Sequence, residues 1–382
     1  MRITHITTSD MSLRYLLLDQ LRYLQSQGHE VTAVSGPGPW VAAVRAAGIP
    51  VKTIPLTRRI APFEDLHAFA ALAWHLFRTR PDVVHTHTPK ASLLGQWASA
   101  LIRIHLRVHT IHGLYFPGHM RPERRWLYVW LERIQMVPAH VILSQNAEDL
   151  ETARRDRIAD PAKLRFLGNG IDVTRFTPAN ATLDRRAAVR AELGIPPGDQ
   201  VVGMVGRFVR EKGYPELFEA AATVLRDRPN TTFVAIGDLE PTKADGIATD
   251  DPAALALGTK LQLLGHRDDI DRLYGAMDLL VLPSHREGFP RAPMEAAATG
   301  IPVVATDVRG CRDTVVDGET GHLVPLRDPT ALAVAILDLL GDDDRRQEMG
   351  RRSRALAESR FDQRLVFQRV SDAYAVVDRG AQ

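Results

Sequence analysis

The chain has 382 residues, of which 45% are hydrophobic and 25% charged, with a formal net charge of +2 and a single cysteine, Cys311. This composition excludes a disordered chain, a collagen-like repeat and a disulfide framework, and one cysteine suits a reducing compartment. The length exceeds one ordinary hydrophobic core, so two domains are expected.

The first half predicts strands that alternate with helices. A strand at 2–7, a helix over 13–27 that ends at Gly28, and a strand at 30–35 form a βαβ opening. Further strands are predicted in PDVVHTH, LRVHTIHG and VILSQN. This alternation is typical of a parallel sheet with helices on both faces.

A second series of strands follows in QVVGMVGR, TTFVAIGD, LQLLGH, DLLVLPS and IPVVAT. Turn-forming residues separate the two series and indicate a domain boundary. We therefore predict an α/β protein with two Rossmann-like, doubly wound domains. Their expected limits are 1–178 and 179–358, and a C-terminal helix at 359–382 is expected to pack back on the first domain.

The usual nucleotide-phosphate motifs are absent. Gly36 and Gly38 follow a predicted strand, but Val41 stands where the dinucleotide fingerprint needs a third glycine. A P-loop is excluded because no Gly-Lys pair exists in the chain. The usual phosphate sites of dehydrogenases and P-loop NTPases are therefore missing.

A different phosphate site is predicted in VVGMVGRFVREKGYPEL. A strand leads to Gly206 and Arg207, and Lys212 with Gly213 precedes a helix that begins near Pro215. A planar guanidinium and an ammonium at a helix entrance suit phosphate oxygens. By itself this pattern is also typical of two exposed cations beside a turn.

Two glutamates follow the apolar strand predicted at 279–282. Glu287 is expected on the loop at the carboxyl end of that strand, and Glu295 in the first turns of a helix that ends at Gly300. Ligands of open α/β sheets bind in the crevice at the carboxyl ends of the strands. Alternatively, Glu295 only complements the helix dipole.

Together these segments resemble the retaining glycosyltransferases of family 4, which have the GT-B fold with two Rossmann-like domains facing a cleft. The resemblance is carried by GRFVREKG, NGID, GHRDDI, PSHREGFPRAPMEAAATGIPVVATDVRG and DGETGHLVP. In the first half, THTPKASLLG is similar to the bacterial branch that builds capsules and lipid-linked glycans. The resemblance implies transfer from a nucleotide-sugar donor, with uracil as the expected base, to a glycan acceptor on a polyprenyl diphosphate carrier.

The resemblance also implies roles for individual residues. Glu295 would bind the ribose, Glu287 the donor sugar, and Arg207 with Lys212 the diphosphate. His112, in the segment TIHG, would contact the sugar from the first domain, unless it is only a satisfied histidine at a strand end. The expected donor contacts also include Gly206, Gly265, His266, Arg267, Gly288 and Phe289. Apart from the resemblance, Arg58, Arg59 and Lys90 are expected to contact the acceptor diphosphate, because a cluster of Arg and Lys suits such a group.

Two segments depart from the family pattern. Where many members carry a Gly-Gly pair, this chain has TTSDMSLR, in which Ser9, Asp10 or Ser12 would cap the following helix. Pro290 lacks the amide proton of a donor that is often directed at the sugar. Both departures concern contacts with the donor sugar.

Neither a metal nor a cofactor is expected. Asp269 and Asp271 form a D-x-D pattern, but they stand at a helix start, where aspartate caps the amino terminus. His85 and His87 share one face of a strand without a third ligand at a telling spacing. The alternatives to a metal-independent transferase are a nucleotide-sugar epimerase of the GT-B fold and a non-catalytic sugar-nucleotide-binding protein.

Residues 1–140 hold 16 Lys and Arg against 8 Asp and Glu, a net charge of +8 that leaves −6 for the rest. In residues 121–134, Arg121, Arg124 and Arg125 stand beside Trp126 and Trp130, a mixture favoured at membrane headgroups. The alternative is that these tryptophans pack inside the domain. Because the amino terminus has no apolar signal core, we expect a cytoplasmic protein. From the basic first half we also expect it to lie peripherally on the inner membrane, with an anionic membrane surface as a partner. No nucleic acid is expected among its partners.

Overall fold

The computed structural model describes residues 1–57, 59, 61–114, 120–240, 243–248 and 250–378. Arg58 and the side chain of Arg124 lie outside the described part of the chain. The chain divides into two compact units, Met1–Gly168 with Val366–Gln382 (unit 1) and Asn169–Leu365 (unit 2). The domain limits proposed from the sequence stay predictions.

Unit 1 contains a sheet of seven parallel strands in the order β3-β2-β1-β4-β5-β6-β7. Its strands are β1 (Arg2–Ile6), β2 (Glu30–Ser35), β3 (Val51–Thr53), β4 (Val83–Thr86), β5 (Leu106–Ile111), β6 (Val141–Ser144) and β7 (Leu164–Phe166). The central strands are buried on both faces, as their apolar composition requires when helices cover a parallel sheet.

The helices of unit 1 connect these strands. They are α1 (Asp10–Ser12), α2 (Leu18–Ser26), α3 (Val41–Ala46), α4 (Pro62–Thr79), α5 (Pro89–Leu101), α6 (Pro122–Met136) and α7 (Ala147–Arg155), with a π-helical turn at Leu13–Leu17 and a 3₁₀ turn at Pro161–Lys163. The helix expected over 13–27 is thus a π-helical turn that continues into α2, and α1 precedes it.

Unit 2 contains a sheet of six parallel strands in the order β10-β9-β8-β11-β12-β13. Its strands are β8 (Gln200–Val205), β9 (Thr231–Ile236), β10 (Leu261–Leu263), β11 (Leu279–Leu282), β12 (Val303–Thr306) and β13 (Gly321–Val324). Along β11, Leu280 and Leu282 pack in one apolar cluster while Leu279 and Val281 pack in another. Successive side chains face opposite sides of a strand, so the sheet has a core on each face.

The helices of unit 2 supply those two cores. They are α8 (Leu183–Glu192), α9 (Tyr214–Asp227), α10 (Pro252–Leu255), α11 (Ile270–Ala276), α12 (Arg291–Thr299), α13 (Cys311–Thr314), α14 (Pro329–Gly341) and α15 (Asp343–Leu356), with 3₁₀ turns at Pro178–Ala181, Arg210–Lys212 and Gly258–Lys260 and a π-helical turn at Ala357–Phe361. The last helix, α16 (Gln363–Asp378), contributes Val370 and Tyr374 to the core of unit 1.

The predicted fold class, two α/β units with doubly wound parallel sheets, is confirmed.

Each sheet has a point where the chain reverses its direction of winding. In unit 1 this point lies between β1 and β4, and in unit 2 between β8 and β11. The connections leave the two central strands on opposite faces there, which opens a crevice at their carboxyl ends. The loops after β1, β4, β8 and β11 are therefore the first places to look for a site. Over the described ranges, we find no helix with the length and apolar character needed to cross a bilayer.

Candidate functional site

The switch point of unit 2 holds an ion pair between two predicted site residues. Nζ of Lys212 lies 2.5 Å from Oε1 of Glu287, and the hydroxyl of Ser284 donates to the same oxygen at 2.7 Å. The side chains of Lys212 and Glu287 are only 19% and 9% exposed. The loop after β8 is thus tied to the loop after β11 by a largely buried charge pair.

Glycines allow these loops to approach closely. Gly213 has a φ of +83°, and a Cβ there would lie 2.1 Å from the carbonyl oxygen of Pro283. Gly310, with a φ of +79°, carries a third loop to the same place, where a Cβ would lie 2.5 Å from the carbonyl oxygen of Gly288. A side chain at either position would separate the loops and move Glu287 away from Lys212.

Arg207 is half exposed at the end of β8, with NH1 3.2 Å from Oε1 of Glu240. The preceding Gly206 accepts a hydrogen bond from the hydroxyl of Tyr214 at 2.7 Å. At this place it is Gly237 that must be a glycine, because a Cβ on Gly237 would stand 2.0 Å from the carbonyl oxygen of Gly206. Lys212 and Arg207 therefore offer two cations at the carboxyl end of one strand.

Glu295 is buried on α12 and is held in place by two donors. The hydroxyl of Tyr274 donates to Oε2 at 3.1 Å, and Nε of Arg291 lies 3.3 Å from Oε1. Burial raises the pKa of Tyr274 well above its usual range, and the nearby Glu295 adds to that shift. Tyr274 is a positioning residue that the sequence analysis missed, because nothing in its local pattern separates it from a core tyrosine.

The three residues expected near the base follow β10. Gly265 has a φ of +69°, and its carbonyl oxygen accepts from the amide of Gly237 at 2.9 Å. His266 is half exposed, with Nδ1 2.9 Å from the carboxylate of Asp238. The guanidinium of Arg267 binds the carboxylates of Glu192 at 3.1 Å and Asp269 at 2.7 Å.

Aspartates and arginines form an ion-pair cluster at the start of α11. Asp269 occupies the N-cap position but makes no side-chain capping hydrogen bond, so the predicted capping role is wrong. Its carboxylate instead binds Arg267 at 2.7 Å and Arg272 at 3.1 Å, because two guanidinium groups compete successfully for it. Asp271 binds Arg175 at 2.7 Å. Both members of the D-x-D pattern therefore have arginine partners.

Gly288 and Phe289 lie on the loop between Glu287 and α12. The ring of Phe289 stands edge-on to Phe361 with centroids 6.2 Å apart, and it packs against the core of unit 2. Its carbonyl oxygen accepts from the side-chain amide of Asn169 at 3.1 Å. The side chain of Phe289 thus anchors the loop.

In unit 1, His112 follows β5 and is held from both ring nitrogens. Nδ1 lies 3.0 Å from Oε1 of Gln145, and Nε2 lies 3.2 Å from Nδ1 of His87. Burial lowers the pKa of His112 to about 4, against the opposing effect of the Gln145 hydrogen bond. The ring is therefore neutral at physiological pH.

A third histidine joins the pair that the sequence analysis identified on β4. His5 on β1 is the direct register partner of His85, and its Nδ1 lies 2.9 Å from Nε2 of His87. One ring nitrogen from each of the three residues falls within 4.8 Å of the others. The spacing of ligands along the sequence had indicated no third member for His85 and His87, and the structure adds one from another strand. The signal was the histidine in RITHIT, which sequence spacing could not connect to a strand some eighty residues later.

Two of the residues expected to hold the acceptor diphosphate are in contact, because Nζ of Lys90 donates to the backbone carbonyl oxygen of Arg59. The same ammonium binds the carboxylate of Asp65 at 2.6 Å and the hydroxyl of Thr57 at 3.3 Å, while Arg59 is exposed. A diphosphate at Lys90 would therefore compete with Asp65.

The loop after β1 also differs from expectation. Ser9 makes no side-chain cap, and the carboxylate of Asp10 accepts from the amide of Trp40 at 2.7 Å. A Cβ at Gly38 would collide with that carboxylate, which explains one glycine of SGPGPWV. Asp10 thus ties the loop after β1 to the loop after β2.

Comparison with known proteins gives a consistent picture. Residues 185–356 match the model of the glycosyl transferases group 1, and residues 14–170 match a glycosyl transferase 4-like domain. The chain is 28% identical over 377 residues to the capsular polysaccharide biosynthesis glycosyltransferase CapM of Staphylococcus aureus, covering 98% of this chain and 96% of the relative.

A second relative is the UDP-Gal:alpha-D-GlcNAc-diphosphoundecaprenol alpha-1,3-galactosyltransferase of Escherichia coli. It is 30% identical over 302 residues, covering 78% of this chain and 76% of that protein. Among solved structures, Anabaena HepE in complex with UDP and glucose superposes with a TM-score of 0.84 at 22% identity, covering 98% of this chain and 100% of HepE. At 22% identity, the match to this structure supports the fold alone.

Proposed function

The chain belongs to the family 4 glycosyltransferases of the GT-B fold, and from this membership and the geometry above we propose that it is a retaining transferase. The donor is a nucleotide sugar, with uracil as the base. The acceptor is a glycan on a polyprenyl diphosphate carrier. Two curated relatives are named for capsule synthesis and for a diphosphoundecaprenol acceptor, which supports the proposed acceptor class.

The observation that carries this proposal is the pair of Lys212 and Glu287 at the switch point of unit 2. An ammonium group has three N–H donors, and Glu287 takes one of them. Across the described ranges, Nζ of Lys212 has no other hydrogen-bond or ion-pair partner. Two donors therefore remain for phosphate oxygens, and the half-exposed Arg207 adds a second cation. This arrangement suits the negative charge that develops on a departing nucleoside diphosphate.

Glu287 and Glu295 have different tasks in this proposal. Glu287 orients Lys212 and is itself oriented by Ser284, so the carboxylate is fixed where positive charge would grow on the donor sugar. Glu295, held by Tyr274, binds the hydroxyls of the ribose. Because Lys212 and Ser284 both bind Glu287, we assign this carboxylate an electrostatic role and not that of a covalent nucleophile. In this proposal the acceptor hydroxyl attacks from the face of the leaving group, whose phosphate takes its proton.

We propose that the reaction needs no divalent metal. The two aspartates of the D-x-D pattern are already bound by arginines, Asp269 by two and Asp271 by one. Lys212 and Arg207 can supply the positive charge that a metal provides in other transferases.

An exposed face of unit 1 supports a membrane-bound acceptor. Helix α5 packs against both α4 and α6, so the three helices form one surface. This aromatic face comprises Phe63, Leu66, Trp74 and Phe77 of α4, Trp97 and Leu101 of α5, and Trp126, Leu127, Trp130 and Leu131 of α6, all of them exposed. Trp126 is 66% exposed, which argues against packing of this tryptophan inside the domain.

Arginines accompany the aromatic face. The guanidinium of Arg78 lies 5.8 Å from the ring centre of Trp74, and that of Arg80 lies 4.7 Å from the ring centre of Phe77. Aromatic rings beside cations suit the interface of an anionic bilayer, where each well-placed cation contributes about 1 kcal/mol. We propose that this face brings the enzyme to its lipid-linked acceptor.

The proposal is tested by incubating the purified chain with radiolabelled UDP- and GDP-sugars and polyprenyl-diphosphate-linked glycans. We expect label in the lipid-linked product from a UDP-sugar, with the anomeric configuration of the donor retained. Conversion of the nucleotide sugar to its epimer without an acceptor would show an epimerase, and donor binding without turnover would show a sensor.

Membrane attachment is tested by sedimentation with liposomes. The chain should sediment with anionic vesicles more than with neutral ones, and Trp126→Ser with Trp130→Ser should reduce the bound fraction. The matched control is Leu183→Ser, which removes an exposed apolar side chain from unit 2. Equal binding to both vesicle types would contradict the proposed membrane surface.

A further inference from the structure

Unit 1 contains a group of buried histidines at its switch point. His5 lies on β1, His85 on β4, His109 on β5, and His87 and His112 directly follow the ends of β4 and β5. Burial lowers the pKa of His5 to about 3 and that of His85 and His87 well below the usual range. All three rings are therefore neutral, and each has one N–H donor and one acceptor nitrogen.

The rings are joined into a chain of hydrogen bonds. Its members lie on β1, β4, β5 and α16 and on the residues that directly follow β4, β5 and β6. At one end, His85 binds Thr110 Oγ1 through Nε2 at 2.7 Å and Tyr374 Oη through Nδ1 at 2.7 Å. Tyr374 Oη lies 3.4 Å from Nε2 of His5, whose Nδ1 lies 2.9 Å from Nε2 of His87. At the other end, Nδ1 of His87 lies 3.2 Å from Nε2 of His112, whose Nδ1 lies 3.0 Å from Oε1 of Gln145.

The amide oxygen of Gln145 determines the direction of the four links between Tyr374 and Gln145. Since Oε1 of Gln145 can only accept, His112 carries its proton on Nδ1 and accepts at Nε2 from His87. His87 must then accept at its own Nε2 from Nδ1 of His5. Nε2 of His5 in turn accepts from the hydroxyl of Tyr374, which burial keeps protonated by raising its pKa.

The three clustered rings are satisfied without a metal ion. Both ring nitrogens of His5, His85 and His87 have partners in the chain of hydrogen bonds, and a metal would displace several of these bonds. A divalent cation at this fully buried place would also face three neutral ligands with no carboxylate among them, at a large desolvation cost. The contacts therefore favour an ordered hydrogen-bond network over a metal site.

We propose that His5, His87 and Tyr374 are positioning residues that act through His112, because they form a one-way hydrogen-bond chain that fixes its ring in the Nδ1–H tautomer. The inference rests on the proposed function, to which we add the contact between His112 and the donor sugar that the family resemblance implies. A ring held from both nitrogens cannot rotate, so a substrate meets a surface that is already ordered. Tyr374 makes this order depend on the last helix, α16.

The inference is tested first without substrates, by NMR of the full chain labelled with ¹⁵N-histidine. Two-bond nitrogen–proton correlations distinguish the two neutral tautomers of each ring. We expect His112 in the Nδ1–H form. His87→Leu should change the nitrogen shifts of His112, whereas His87→Asn, which keeps a donor near the position of Nδ1, should restore them in part.

Matched variants separate this effect from a general loss of structure. His109→Leu removes another fully buried histidine, which binds Ser92 outside the chain of hydrogen bonds, and it should leave the His112 signals unchanged. Tyr374→Phe should change these signals. Tyr23→Phe should not, although it removes a hydroxyl that bonds Gln368 on the same helix at 3.3 Å.

Kinetics then give a second readout. In His87→Leu we expect kcat to fall about 10- to 100-fold with little change in the donor KM, and His109→Leu to change kcat much less. An Nε2–H tautomer of His112, or His112 signals that His87→Leu leaves unchanged, would overturn the inference. If the wild-type chain transfers no sugar, the proposed function fails while the NMR result still decides the inference.

Discussion

Replacing Lys212 with alanine separates stability from catalysis, because the chain contains a matched ion pair. Lys260 binds Asp199 at 2.7 Å, and the hydroxyl of Thr232 donates to the same carboxylate oxygen at 2.7 Å. Glu287 receives the same two kinds of donor, from Lys212 and Ser284. The control pair lies at the amino-terminal edge of the same sheet, away from the switch-point loops.

Both substitutions should destabilise unit 2 by similar amounts. The carboxylates of Glu287 and Asp199 are 9% and 5% exposed, and their lysines are 19% and 31% exposed. Removing one partner of a buried pair leaves the other charge uncompensated, at a cost of about 3–5 kcal/mol. Since both lysines retain some access to water, we expect values near the lower end for Lys212→Ala and for Lys260→Ala.

Only Lys212→Ala should affect the reaction strongly. Loss of a donor that stabilises charge in the transition state costs roughly 2.7–4 kcal/mol, which corresponds to a fall in kcat of about 10²- to 10³-fold. Lys260→Ala should keep kcat within a few-fold of the wild type. This difference between two equally destabilised variants isolates the catalytic contribution of Lys212.

The positions of the tryptophans determine how the stability of unit 2 can be measured. All five tryptophans belong to unit 1, so tryptophan fluorescence does not report on unit 2. Stability should therefore be followed by far-ultraviolet circular dichroism in urea and by hydrogen exchange of β8, and transfer by steady-state kinetics at 25 °C. If kcat falls equally in both variants, or remains at the wild-type value in Lys212→Ala, the proposed contact with the diphosphate is wrong.

Three further predictions concern the donor, the metal and pH. Glu295→Ala should raise the dissociation constant of the donor with little change in kcat, because a ribose contact is made equally in the ground and transition states; unchanged affinity in a donor titration would contradict the ribose role. Transfer should survive EDTA, and loss of activity that magnesium or manganese restores would instead indicate a metal requirement. Unit 1 should lose stability between pH 7 and pH 5.5. Burial lowers the pKa of His5 and His109 to about 3, so below pH about 6.5 only the unfolded chain binds these protons. The free energy of unfolding therefore falls as the pH falls, by an amount that approaches ~1.4 kcal/mol per group per pH unit. Glu132, whose pKa burial raises to about 7, acts in the opposite direction, but as one group against five histidines with lowered pKa values. Urea unfolding followed by tryptophan fluorescence reports on unit 1, and a midpoint that does not fall at pH 5.5 would count against this account.

The sequence alone determined the strand-and-helix alternation and the location of the loops that carry chemistry. Short apolar runs bounded by glycine and proline specify buried strands locally, so Glu287 could be assigned to the loop after β11 and Glu295 to α12. Lys212 and Gly213 could likewise be assigned to the turn that precedes a helix. These features depend on residues that are close together in the chain.

Only the tertiary structure decided which side chains meet. The partner of Lys212 lies 75 residues away, and that of His5 lies 82 residues away on a loop that follows a neighbouring strand. Asp269 was expected to cap a helix, yet two arginines bind its carboxylate. Strand order and register determine such contacts, and both arise from the packing of distant segments. Local periodicity records which face of a strand or helix is buried, but it does not record what lies against that face.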